Sequence, residues 1–344
     1  MIQLCEFLSP RPEPLWTLIK QCGVDNVVAV LNGGEQEQRM FQSVGVDAFG
    51  KSSIGADMAP WSEAAIRRDV GLFAENGLKV IGIEDTAPMD KVRLGMPGRD
   101  EQIENIQTQI RAMGRLEIPL LCYNWMAISS WARTDIAVKA RGGAHVTGFK
   151  LSETLELPPL TDPGEFTAEQ LWSALEYFLH AIIPVAEESG VQLGMHPDDP
   201  PLKEIRGIPR IMNSIEAYRR LLSLYPSASN GITLCQGNFA LMTDKLPEVI
   251  KEFGERKAIA FVHFRDVKGT AEDFVETFHD EGQNDLPKCM RAYANIGFSG
   301  PMRPDHVPTM FGEANDRPAY GTLGRLFALG YIRGLEQSMY GRNF

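Results

Sequence analysis

Eight short apolar runs, separated by helical patterns and spread along the whole chain, constrain the fold more than any other feature of the sequence. They are Ile2–Phe7, Asn26–Leu31, Lys79–Glu84, Pro119–Asn124, Val191–His196, Gly231–Cys235, Ala258–Phe264 and Pro301–Asp305. Most are bounded by Gly, Pro or polar clusters, as buried parallel strands are. Between them the spacing turns helical. Ser62–Asn76 opens on a Ser-Glu start signal and stops at Gly77, and Arg99–Arg115 lines Ile103, Ile106, Ile110 and Met113 along one face. Thr167–Ser189 has Thr167 as its N-cap, Glu169-Gln170 in the first turn and Gly190 as its stop, with a kink expected at Pro184. Glu13–Gln21, Ser214–Leu224, Asp244–Phe253, Asp285–Ile296 and Thr322–Met339 complete the set. Alternating strands and helices predict a parallel sheet, and eight units predict its closure into an α/β (β/α)8 TIM barrel. The alternative, an open doubly wound sheet, lacks its Gly-x-Gly-x-x-Gly turn.

No linker or repeat divides the 344 residues, so one domain spanning 1–344 is expected. Two long connections, 32–60 and 125–166, lack a clear helix and are expected to wall the barrel mouth. A formal net charge of -11 argues against nucleic-acid or anionic-membrane partners. The N-terminus carries no basic head before an apolar stretch, and no run approaches the length of a membrane span. Five cysteines without ribbon spacing predict reduced thiols and a cytoplasmic setting.

The last four runs share an ending. Leu193-Gly-Met-His196, Gly231-Ile-Thr-Leu-Cys235, Ala260-Phe-Val-His263 and Gly300-Pro-Met-Arg-Pro-Asp305 each close on a residue able to bind a metal. In a parallel barrel such strand ends meet at one mouth. His196, Cys235, His263 and Asp305 are therefore expected to form one site for a divalent transition metal, since magnesium and calcium take oxygen ligands alone. A lone His or Cys is more often structural; four at consecutive strand ends are not readily so.

His306 follows Asp305 directly and reads as a general acid or base, with a further ligand or an orienting partner as the plainer alternative. Strand periodicity turns Arg265 and Arg303 inward with His263 and Asp305. Asp198 and Asp199 could orient imidazoles or bind sugar hydroxyls, or only shape a Pro-bracketed turn. His279, in Glu276-Thr-Phe-His-Asp-Glu-Gly-Gln283, is a substrate candidate in what is otherwise a solvated loop. Arg99 could meet an anionic substrate at a helix start, and Tyr320 stands near the mouth. The tryptophans read as structural, Trp125 being the one just past a strand end.

Taken together, His196-Pro-Asp-Asp-Pro-Pro201, Gly231-Ile-Thr-Leu-Cys-Gln-Gly237, His263-Phe-Arg-Asp-Val-Lys268, Glu276–Gln283, Arg303-Pro-Asp-His-Val-Pro308 and Gly324-Arg-Leu-Phe-Ala328 resemble the mannonate dehydratases of the xylose-isomerase-like barrel group. Leu94-Gly-Met-Pro-Gly-Arg-Asp100, Cys122-Tyr-Asn-Trp-Met126 and Trp131-Ala-Arg-Thr-Asp135 are similar as well, so the likeness spans roughly 80–340. The resemblance implies a divalent metal, manganese first with iron, cobalt or zinc also suited, on His196, Cys235, His263 and Asp305. It implies His306 and Tyr320 as acid/base residues, D-mannonate converted to 2-keto-3-deoxygluconate, and a homodimer. Asn124 joins Arg99, Arg265 and His279 as the substrate-binding candidates. The chain departs from the family at Phe7-Leu-Ser-Pro10, at Leu31-Asn-Gly-Gly-Glu35 and at Asn238, where a small residue is usual. Two rivals remain: a sugar isomerase or epimerase of the same barrel group, which usually wants more acidic ligands, and a sugar-acid-binding protein without turnover.

Overall fold

In the four residues Leu234, Cys235, Val262 and His263, outward and inward side chains alternate along two neighbouring strands, and this period of two organises the whole structure. The structure, a computed structural model, describes residues 1–32, 58–162 and 164–341. Its strands are β1 (Gln3–Leu8), β2 (Asn26–Ala29), β3 (Lys79–Ile83), β4 (Leu120–Asn124), β5 (Gln192–His196), β6 (Asn230–Cys235), β7 (Ile259–Phe264) and β8 (Pro301–Pro304). All pair in parallel, each with its chain neighbours, and β8 closes on β1. The expected barrel is therefore present, and its strand ends fall within two residues of the expected ones.

Among the described residues, eight longer helices cover the outside: α1 (Pro14–Gln21), α2 (Glu63–Glu75), α3 (Arg99–Arg115), α4 (Ala168–Ser189), α5 (Ile215–Leu224), α6 (Leu246–Glu255), α7 (Leu286–Asn295) and α8 (Thr322–Tyr340). Outward strand residues such as Leu121, Leu193, Ile232, Val262 and Met302 pack against Ile106, Ile110, Phe178, Leu221, Phe253 and Ile332 of the helices in one continuous core. A separate small cluster, Cys5, Val28, Ile81, Leu120, Cys122, Ala260 and Phe261, fills the barrel interior beneath the mouth. Helix α4 stays one helix across Pro184. Thr167 and Gln170 form a reciprocal capping box, and Gly190 closes the helix in the left-handed conformation.

The two long connections have different outcomes. Residues 33–57 lie outside the described residues, as does the Gly33-Gly34-Glu35 part of the second departure. The connection 125–166, expected to be irregular, instead holds the hairpin Asp135–Lys139 and His145–Lys150, turned through Gly142 and Gly143 at φ 65° and 82°. It pairs antiparallel with a second hairpin, Val267–Thr270 and Asp273–Glu276, which follows β7. Phe149, Val267 and Phe274 anchor this four-stranded sheet on Leu202, Ile205 and Ala240. The sequence hid it because Asp135–Lys139 is exposed at alternate positions and only five residues long. Exchanged backbone hydrogen bonds between His145 and Thr309 tie the sheet to the segment after β8. Among the described residues no helix is long and apolar enough to cross a membrane.

Thr167→Ala removes one half of the α4 capping box, so it is expected to lower stability by about 1 kcal/mol. A lower urea midpoint with an unchanged slope would report it.

Candidate metal centre

Inward-pointing side chains of successive strands come to one level at the mouth because the parallel registers align them. Asn124 pairs with His196, Cys235 with His263, and His263 with Arg303. Asp305 is the first residue past β8, two positions beyond Arg303 and on the same face. One donor atom from each of His196, Cys235, His263 and Asp305 lies within 4.8 Å of the others. Cys235 Sγ is 3.7 Å from Asp305 Oδ2, His263 Nδ1 is 3.5 Å from the same oxygen, and the two imidazole centroids are 4.9 Å apart. The Nδ1–H of His196 donates to the Pro197 carbonyl at 2.7 Å, which leaves Nε2 as its free donor atom. Both ring nitrogens of His263 are buried without a hydrogen-bond partner. Such a pair of orphaned nitrogens, beside a thiol and a carboxylate, fits a cation. Glu84, Cys122 and His263 also converge, but Arg303 occupies both Glu84 oxygens and the Thr233 hydroxyl donates to Cys122 Sγ.

Arginines behind the mouth fix these groups. Arg265 is buried and donates through Nε to Asp305 Oδ2 at 2.8 Å, through Nη1 to Glu276 and through Nη2 to Asp199 and Asn238. Gly237 has no alternative residue here, since a Cβ would overlap the Arg265 guanidinium. Arg133 binds both oxygens of Asp199 and also Glu276 Oε1, while Arg303 bridges Glu84 and Asp305 Oδ1. Burial alone would raise the carboxyl pKa values, but His306, Arg303 and His263 hold Asp305 well below the usual range. The arginine charges likewise overcome burial at Asp199 and Glu276, and Glu84 falls to about 2 through Arg303 and His263. Burial also opposes ionisation of Cys235, yet the Arg265 charge and the neighbouring His196 and His263 imidazoles bring its thiol from 9.0 down to about 6.

His306 and Tyr320 meet at this centre. The Tyr320 hydroxyl donates to Asp305 Oδ1 at 3.3 Å, and burial, then the Asp305 charge, keeps its pKa well above 10.0. His306 Nδ1 lies 2.9 Å from Glu276 Oε1, and Arg133 Nη2 reaches the same oxygen. With Nδ1–H and the guanidinium sharing one acceptor, the ring's Nε2 remains, 4.0 Å from Asp305 Oδ1. The ring also packs 4.7 Å from Trp131.

Not every expected residue reaches the cleft. Asn124 lines it, its amide oxygen accepting from Arg93 Nη2 and from the Met126 N–H. Arg265 does not face a ligand, because its N–H groups serve the carboxylates just described. Arg99 lies over the Tyr177 ring of α4 at 3.8 Å, and Arg93 is the arginine that lines the cleft from that side. His279 is buried rather than solvated, away from the cleft lining, and burial lowers its pKa to about 4. Asp198 turns to Arg210 and the Met212 N–H, and only Asp199 borders the cleft. Trp131, not Trp125, is the tryptophan of the site; Trp125 packs on Phe178 in the core. In the sequence Glu84 is only the end of a strand, Trp131 only part of a family-like motif, and Arg93 carries no signal.

Comparison with known proteins identifies the family. The family described as D-mannonate dehydratase (UxuA) matches residues 19–161 and 160–343. The chain belongs to the D-mannonate dehydratase family. It is 35% identical to mannonate dehydratase 2 of Halalkalibacterium halodurans over 305 residues, 81% of this chain and 88% of that one. It is 36% identical to a mannonate dehydratase of Thermotoga neapolitana over 302 residues, 76% and 82% of the two chains. The crystal structure of mannonate dehydratase from Streptococcus suis superposes with a TM-score of 0.84 at 30% identity, covering 98% of this chain and 93% of that one. A D-psicose 3-epimerase from Clostridium cellulolyticum, at TM-score 0.58 and 11% identity over 98% of this chain and 99% of that one, shares the barrel alone. Membership makes the chain a hydro-lyase. Within the D-mannonate dehydratase family its departures have visible consequences. Asn238 accepts from Arg265 Nη2 at 2.8 Å and donates to the Asp198 carbonyl, so it completes the arginine's shell. Phe7 lines the cleft 5.0 Å from the Arg303 guanidinium and 6.0 Å from the Tyr320 ring.

Because the folded thiol of Cys235 titrates below its unfolded value, its contribution to stability is full above 9.0 and is lost as pH falls through about 6. Ultraviolet thiolate absorbance of the metal-free protein should show one group with a midpoint near about 6, and Arg265→Gln should move that midpoint upward.

Proposed function

We propose that this chain is a metal-dependent mannonate dehydratase that converts D-mannonate to 2-keto-3-deoxy-D-gluconate and water. The observation that carries the reading is the convergence of two imidazoles, a thiol and a carboxylate, with His306 and Tyr320 both beside Asp305. Charge balance supports a divalent cation. Three buried arginines, Arg133, Arg265 and Arg303, face four carboxylates, Glu84, Asp199, Glu276 and Asp305, and the Cys235 thiolate. Without a metal, the Glu84 and Asp305 charges overcome burial and raise the His263 pKa well above 6.5. Ligation requires neutral imidazoles, and two negative charges then remain for the ion to cancel. The mixed donor set suits a transition metal, and manganese is our choice, with iron, cobalt or zinc also compatible.

A cation held by His196, Cys235, His263 and Asp305 would supply Lewis acidity to spread the charge that develops on the substrate carboxylate. The residues divide the proton transfers. His306, its Nδ1–H held by Glu276, presents the lone pair of Nε2 and takes the proton from C2. The electron pair left on C2 forms the C2–C3 double bond as the C3–O bond breaks. Tyr320, whose phenol carries its proton, gives it to the departing hydroxyl, which leaves as water. The enol that remains tautomerises to the 2-keto acid. Asn124 borders the same cleft and binds substrate there, whereas Arg265 holds Asp305 in place. We place the enzyme in the cytoplasm, where its five free cysteines stay reduced, acting as a homodimer on a small-molecule sugar acid.

The manganese-loaded protein, offered a panel of aldonates, is expected to release a 2-keto-3-deoxy acid from D-mannonate. Metal-bound protein that yields no such product from any of them would remove the dehydratase reading. Cys235→Ser is expected to lower metal content, and an unchanged content would remove it from the ligand set. His306→Ala and Tyr320→Phe, with metal retained, should each lower kcat by about 10²–10⁴-fold.

A further inference from the structure

The loop after β4 carries two buried hydrogen-bonding groups, in residues that line the cleft, for which the protein supplies no partner. Ser130 Oγ and Trp131 Nε1 are both buried, both without a partner, and both residues line the cleft. The side chains are 7% and 5% exposed, so bulk water does not compensate them freely. Leaving such groups unpaired is costly enough that native structures seldom do so without a ligand or an ordered water.

Their positions are held rather than fluid. Ser129, next in the chain, receives Arg210 Nη2 on its hydroxyl at 2.7 Å, and Arg210 is itself paired with Asp198. The Ile128 N–H donates to Asp90 Oδ1 at 3.4 Å, the oxygen that Arg93 Nη1 also contacts at 3.3 Å. On the other side the Ala132 N–H donates to the Asp199 carbonyl at 3.0 Å, and the Trp131 ring packs on His306. The loop is thereby clamped between Arg93 and the acid/base pair. An indole N–H donates only, so it reads an oxygen lone pair; the serine hydroxyl can donate or accept.

We propose that Ser130 and Trp131 form a hydroxyl-reading subsite, binding an oxygen of the substrate's polyol chain beside His306. This inference rests on the sugar-acid reading of the same cleft and deepens it. It assigns part of substrate recognition to the loop that precedes the accessory hairpin. Trp131 has two roles in one side chain: its ring backs the His306 imidazole, and its N–H meets the ligand. Phenylalanine separates them, since it keeps an aromatic ring and removes the donor.

The experiment compares wild type, Trp131→Phe and Ser130→Ala, each metal-loaded and melted to verify folding. KM for D-mannonate and the calorimetric Kd of aldonates are both measured. Each variant is expected to raise KM and Kd about three- to tenfold. A monodeoxy aldonate lacking the hydroxyl that the subsite reads should bind wild type more weakly and Trp131→Phe no more weakly still. Wild-type turnover with unchanged KM and Kd in both folded variants would overturn the subsite alone, leaving the two groups to hold water. Aldonate binding without turnover, weakened in the variants, would support the subsite and remove the dehydratase reading. No aldonate binding by wild type would overturn both.

Discussion

The site depends on one buried guanidinium. Arg265 contacts Asp305, Glu276, Asp199 and Asn238 at once, and so joins the end of β8, the accessory sheet, the turn after β5 and the short helix Gln236–Ala240 after β6. Burying so much charge is tolerable only with nearly complete pairing, because an uncompensated ion in this environment would cost several kcal/mol. The fixed charge has consequences on either side. Towards the mouth it holds Asp305 Oδ2 at 2.8 Å and draws Cys235 towards its thiolate. Away from the mouth it joins Arg133 in holding Glu276, the carboxylate against His306 Nδ1.

The accessory sheet is the means by which a barrel loop becomes part of this network. Glu276 ends a strand that pairs with His145–Lys150, and Arg133 stands two residues before the first strand of the same sheet. A backbone fixed by ladder hydrogen bonds holds its side chains more closely than a free loop would. Arg141 and Asp280, joined by two hydrogen bonds of 2.9 Å, clasp the two hairpins on their solvent side. The two hairpins together thus act as scaffold for the half of the site that turns His306.

Legibility in the sequence followed the range of the interactions. The barrel could be read because most strands are short apolar runs and helices such as Ser62–Asn76 and Thr167–Ser189 carry their own start and stop signals, all local properties. The four donor residues could be read because a parallel barrel gathers its strand ends, so their position in four runs implied their meeting in space. Arg265 was read as facing inward, correctly, but its partners were not foreseen: they come from the turn after β5, the hairpin after β7 and the end of β8. Arg99 and His279 failed for the same reason in reverse. Their surroundings favoured a ligand, yet one side chain found the Tyr177 ring and the other a buried pocket of its own.

What the sequence determined by itself was therefore periodicity: eight strands, eight helices, inward residues at fixed parity, and family membership through motifs at strand ends. What only the tertiary structure decided was partnership. It chose which arginine lines the cleft, which carboxylate turns His306, and that Trp131 rather than Trp125 borders it. The physical reason is that parity and propensity are set by neighbours a few residues away. Pairing of buried charges is set instead by groups brought from distant parts of the chain, whose mutual compensation exists only once the barrel has closed.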